Sequence, residues 1–161
     1  LTSGGNYDFK HTTLANFWNY SVRNTPTLFL NNYTTDTLDN PVAIPFNLNI
    51  ANSIIYGYNI DEIETDMDGG ADSLYYFNHC LIKTSLNTSN DINYNSIIKN
   101  EDPLFVNASE NDYRIDSLSP AIGFGNVNIA NDVPFDLDGI SRLPLPDLGV
   151  YQFVPGQEEN K

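Results

Sequence analysis

Asp61, Glu62, Glu64, Asp66 and Asp68 form the best acidic cluster in the chain. Glycoside hydrolysis needs two carboxyl groups about 5–10 Å apart. Strand alternation would place Glu62, Glu64 and Asp66 on one face, away from an inward Ile63, and a solvated outer face explains that pattern equally simply. The overlapping stretch DMDGGAD sets Asp66, Asp68 and Asp72 around a Gly-rich turn. Oxygen ligands at alternate positions of a tight loop suit Ca²⁺, the one cofactor the residues suggest, against a plain Asp-Gly turn. DLDG, Asp136 to Gly139, carries the same ambiguity.

Cations are scarce. A polysaccharide lyase needs a Lys or Arg base in an electropositive pocket, and the chain offers only Lys10, Arg23, Lys83, Lys99, Arg114, Arg142 and Lys161. Arg114 and Arg142 are expected to pair with a carboxylate such as Asp136. His79 and Cys80 are neighbours, so alternation points them to opposite faces and argues against a Cys-His pair. His11 and His79 read as packing residues. Tyr56, Tyr58, Tyr75 and Tyr76 are candidates for a sugar-stacking platform, with aromatic stacks along the fold as the alternative.

The totals limit the partners. A formal charge of −14, from 21 acidic against 7 basic residues, makes nucleic acid and anionic membrane poor partners. The lone Cys80 allows no internal disulfide framework and no zinc cluster. No stretch has the roughly 20 apolar residues of a membrane span. With Leu1 first and Met67 as the one methionine, the chain reads as a mature or excised piece, any export signal lying upstream.

The elements that must carry these residues are strands. Helical periodicity is almost absent, while LNIANSIIYGYN and LYYFNHCLIKTS alternate with Asn/Asp/Gly-rich turns. Three stretches superpose: Leu14 to Trp18, Ile50 to Ile54 and Phe77 to Leu81. They place Asn16, Asn52 and His79 at one level of successive turns, where stacked polar side chains satisfy one another as a ladder. Residues 27–33, 60–66 and 92–100 read as secondary strands. Several short strands per turn suit a solenoid, and an antiparallel sandwich is the competitor.

DPLFVN, then NDYRIDSLSPAIGFG, then DLDG with Arg142, and finally PDLGVYQF occur in order from Asp102 to Phe153. This series resembles the C-terminal region of bacterial right-handed parallel β-helix proteins often labelled choice-of-anchor Q domain proteins. IANSIIYG and FNHCLIK resemble ordinary coils of that family. Val150 and Gln152 stand where Ala and Glu are usual.

The resemblance implies an all-β, right-handed parallel β-helix of about four coils: residues 1–100 as coils, 101–153 as a last coil and cap, and 154–161 as a flexible tail. It also implies a secreted or surface-exposed protein, without fixing a reaction, because this fold carries many chemistries. Two functions are expected. One is a non-catalytic scaffold or glycan-binding segment. The other is the terminal part of a polysaccharide lyase or glycoside hydrolase with its catalytic coils upstream. The expected partners are a polysaccharide or glycan and either upstream coils or a second copy at the uncapped N-terminal end.

Overall fold

A computed structural model describes residues 1–90 and 92–156. The tail expected at 154–161 therefore lies largely outside the described residues. The chain is all-β. A first pass comprises β1 (Gly5–Lys10), β2 (Thr13–Asn16) and β3 (Leu28–Asn31), with a small hairpin, β4 (Tyr33–Thr35) and β5 (Pro41–Ala43). β6 (Phe46–Gly57) and β7 (Ile63–Asp66) form a second pass, β8 (Ser73–Ile82) a third and β9 (Tyr94–Lys99) a fourth. The C-terminal segment holds β10 (Phe105–Asn107), β11 (Asp112–Ile115) and the single turn α1 (Val127–Ala130).

The main sheet runs β1-β6-β8-β9 with every pair parallel, and β2 also pairs with β6. β3 and β7 form a second parallel pair. Antiparallel pairing between named strands is confined to β4–β5 and β10–β11, which rules out an antiparallel sandwich. Residues 92–100, expected as a secondary strand, instead supply the fourth strand of the main sheet. The third pass is short: Asn95 bonds Asn78 only 17 residues earlier, whereas the first takes 41 from His11 to Asn52.

The long strands bend at one level. His11, Asn52, His79 and Ser96 all have positive φ, 50°, 48°, 54° and 55°. The register sets them side by side, each falling between paired neighbours such as Lys10↔Ala51 and Thr13↔Ile54, or Ala51↔Asn78 and Ser53↔Cys80. A left-handed residue breaks the two-residue alternation. Before the bend Phe46, Leu48 and Ile50 point inward; after it Ile55 does so and Ile54 points the other way. Phe9, Ile50, Phe77 and Tyr94 thus form one inward column, with the Phe77 and Tyr94 rings stacked at 5.5 Å.

This register corrects the expected ladder. Asn52 and His79 do share a level, but Asn16 lies opposite Gly57, and the residue beside Asn52 is His11. The extended run from Leu14 looked equivalent because it has the same apolar-Ala-Asn pattern one bend further along.

The bend also leaves an outward apolar column, Thr13, Ile54, Leu81 and Ile98. Ile115, Ala121 and Leu148 of the C-terminal segment bury it, leaving Ile54 1% and Leu81 0% exposed. Each such aliphatic side chain is worth about 1.5–3 kcal/mol of burial. The C-terminal segment accordingly lies along the flank of the stack, across several passes; it is not a lid over the end. Asn52 pegs it there: Asn126 N–H donates to Asn52 Oδ1 at 2.8 Å, Asn52 Nδ2 donates to Asn126 O at 2.9 Å, and Gly149 N–H donates to Asn52 O. The Asn126 bonds fix the amide's orientation, so Asn52 Nδ2 must donate to His11 Nε2, and His11 is neutral.

Burial, and secondarily the charge of Arg142, lowers the His11 pKa from 6.5 to about 4. The unfolded chain takes up this proton more readily than the folded one. The His11 contribution is complete above pH 6.5 and is lost as pH falls toward 4, up to roughly 3 kcal/mol. Urea unfolding of the wild type should show this decline and His11→Gln should flatten it. Asn52→Ala, which loses the peg and keeps the left-handed φ, should cost about 2–4 kcal/mol at pH 7.

Candidate functional site

Before the bend, the residues between the inward ones face outward. Asn6, Asp8, Asn47, Asn49, Leu74 and Tyr76 come from three adjacent strands and line a cleft of about 560 Å³, with Ile92 at its rim. Asn47 Nδ2 donates to Asn6 Oδ1 at 2.9 Å and Asn49 Nδ2 to Asp8 Oδ1 at 2.6 Å. Each bond ties one strand to the next and spends one of the two amide N–H groups. The second remains to face a ligand, beside the Tyr76 ring and the 48% exposed Leu74. Donors, acceptors and an aromatic face on rigid strands suit a polyhydroxylated ligand.

Asp8 is the one carboxylate among the described lining residues. Lys10 lies 3.4 Å from Asp8 and 2.9 Å from Asp132, and its pKa is raised by these partners, Asp132 first. The other described cations are also engaged. Arg23 grips Glu62, Lys83 donates to Gly57 O and sits over the Tyr56 ring, and Lys99 donates to Leu86 O. Arg114 pairs with Asp112. Arg142, 2% exposed, donates to the carbonyls of Gly149 and Val150. Arg142 feels the charges of Asp136 and Asp147 without a direct bond to either, and Asp136 accepts the backbone N–H groups of Asp138, Ile140 and Gln152, which makes DLDG a turn-forming device.

The four tyrosines do not form one platform. Tyr75 packs against the core and its ring meets Phe77 and Tyr94. Tyr76, next in the strand, lines the outer cleft. Tyr56 and Tyr58 lie at the far end of β6, both against Phe17. Nor are the metal candidates brought together. Asp66 accepts the Tyr33 hydroxyl, Asp68 accepts the N–H of Gly70, and Asp72 contributes its backbone carbonyl to Phe46. Among the described residues no group of three or more His, Cys, Asp or Glu stands close enough to hold a metal ion.

In the acidic cluster, Glu62 is 0% exposed, against the expected solvated face, because the strand β7 begins only at Ile63 and the residues before it turn inward. Burial raises its pKa, but hydrogen bonds from Arg23, Thr27 and Asn59 outweigh this and hold it below 4.5. Asp61 behaves alike: burial opposes ionisation, and hydrogen bonds from Ser85 and Thr84 bring its pKa below normal. Cys80 is buried in the core, its pKa pushed by burial to about 12, while His79 turns outward onto Phe124. The expected opposition of these two side chains holds.

No protein-family model matches the chain, and no curated protein and no solved structure matches it. The amides of the outer cleft escaped sequence reasoning, although NYDF and FNLNI carry their signal: the same Asn/Asp between apolar neighbours in two strands.

Replacing Arg23 by Met would leave Glu62 charged and unpaired inside the protein, a loss of about 3–5 kcal/mol at pH 7. Wild-type Glu62 has a lowered folded pKa, so its contribution is present above about pH 4.5 and lost as pH falls through the folded value. In Arg23→Met the sign should reverse, with the urea midpoint recovering on acidification from pH 7 to 4.

Proposed function

We propose that this chain is the C-terminal part of a right-handed parallel β-helix protein of the choice-of-anchor Q kind, secreted or surface-exposed in a bacterium, which binds a glycan without cleaving it. The β-helix reading is supported by parallel passes joined through a second parallel pair, with the bend repeating at one level. Residues before β1 extend the second pair, since Leu1 and Gly4 exchange backbone hydrogen bonds with Phe29 and Asn31. The edge of β1 away from β6 is where an upstream coil or a second copy would add.

One observation carries the glycan reading: the open row of Asn6, Asp8, Asn47 and Asn49 beside Tyr76 offers hydrogen bonds and a stacking face, but a single carboxylate and no uncommitted cation among its described lining residues. Hydrolysis needs two carboxyl groups and β-elimination a cationic base. Binding needs neither.

Calorimetric titration with a panel of neutral and acidic oligosaccharides should find a ligand whose affinity falls about tenfold in Tyr76→Ala and in Asn49→Ala, while both variants keep the wild-type circular dichroism spectrum. EDTA should leave binding unchanged. Release of new reducing ends or unsaturated products would sink the reading.

A further inference from the structure

A second cleft, of about 490 Å³, opens where the turn after β2 meets the C-terminal segment. Its walls are aromatic and amide: Trp18, Tyr20 and Tyr113 with Asn16, Asn19 and Asn111. Trp18 is 52% and Tyr20 85% exposed. Neither ring is needed by the core, because Phe17 does that work. Its ring lies within 5.1–6.3 Å of those of Tyr56, Tyr58, Phe105 and Tyr113. That five-ring cluster anchors the turn and leaves its two neighbours projecting.

The projecting rings are also oriented. Trp18 Nε1 donates to Ser21 Oγ at 3.0 Å, Trp18 N–H donates to Asn16 Oδ1, and the Trp18 and Tyr20 rings meet edge to face at 5.1 Å. On the opposite wall Tyr113 donates its hydroxyl to Asn111 Oδ1. Rigid aromatic faces held apart from the core, with amides between them, lower the ordering cost of a ligand.

From this we infer a second, independent ligand site that takes the pyranose rings of a neutral oligosaccharide against Trp18 and Tyr20. Sugar C–H groups are weakly positive and meet the negative face of an indole or phenol ring, while hydroxyls exchange hydrogen bonds with amides. Charge selects the class. None of the ten lining residues is charged and the molecule carries −14, so uronate or sulfated sugars meet repulsion without a compensating cation. The inference stands whether or not the outer sheet cleft binds.

Trp18 is the only tryptophan, so intrinsic tryptophan fluorescence reports this site alone. Titration with cello-, xylo-, manno- and chito-hexaose should give a saturable change in Trp18 emission with at least one of them, insensitive to added salt. Tyr20→Ala and Tyr113→Ala should weaken it about tenfold, while Tyr76→Ala, on the other cleft, should leave it intact. Galacturonate hexamers should give no change. An emission unaltered by all four neutral hexaoses, an equal response to galacturonate, or indifference to Tyr20→Ala would each overturn the inference. A Tyr76-dependent calorimetric signal without any fluorescence change would fail this site and spare the other.

Discussion

Everything in this chain depends on a repeated left-handed residue in the middle of its long strands. A non-glycine residue at positive φ costs about 1–2 kcal/mol, and this fold carries four at one level. Two are His and one is Asn, types that tolerate the conformation better than most. The return is a change of phase. A straight strand has one inward and one outward set of side chains along its whole length; a strand with one left-handed residue exchanges them halfway. The inward set can then wrap a corner of the core, as Ile50 and Ile55 do, while the pairing of neighbouring strands keeps the same register on both sides of the bend.

The same exchange divides the outer face into two unlike halves. Before the bend it mixes the amides and carboxylate of Asn6, Asp8, Asn47 and Asn49 with Leu74 and Tyr76, and it stays open. Beyond the bend it is apolar, and Ile54 and Leu81 require a cover. The C-terminal segment is that cover, and Asn52 uses its side chain at the bend to hold it. His11, which accepts from the same amide, couples the first pass to the arrangement.

Much of this was legible in the sequence, for identifiable reasons. Strand character, parallel stacking and the shared level of Asn52 and His79 followed from alternation and from a short repeated pattern. The phase change did not, because positive φ leaves little mark when the residue is His, Asn or Ser instead of Gly. Without it the first pass was set in the wrong register at Asn16, while Glu62 was placed outside because the strand was taken to begin before Ile63, when Glu62 is fully buried against Arg23. The motif series from Asp102 to Phe153 names a segment without saying which surface it covers, and that surface is the apolar column of Ile54 and Leu81. Trp18 and Tyr20 leave no mark in the alternation, because they sit on the turn after β2 and belong to no strand.

Charge joins the two clefts into one picture. Six of the seven basic residues lie among the described residues, and each is committed to a carboxylate, a carbonyl or a ring. The protein thus presents a negative field whose few cations hold structure together. In such a field selectivity for neutral ligands needs no dedicated device: an anion is opposed wherever it approaches, at long range in dilute salt and within about 8–10 Å at higher ionic strength. What remains to discriminate among neutral ligands is shape, the spacing of amides along the strands and of rings around the turn. The spacing of the amides is fixed by the sheet, about 4.8 Å from strand to strand, so a ligand lying across it would meet Asn6 and Asn47, or Asp8 and Asn49, before Leu74 and Tyr76 of β8.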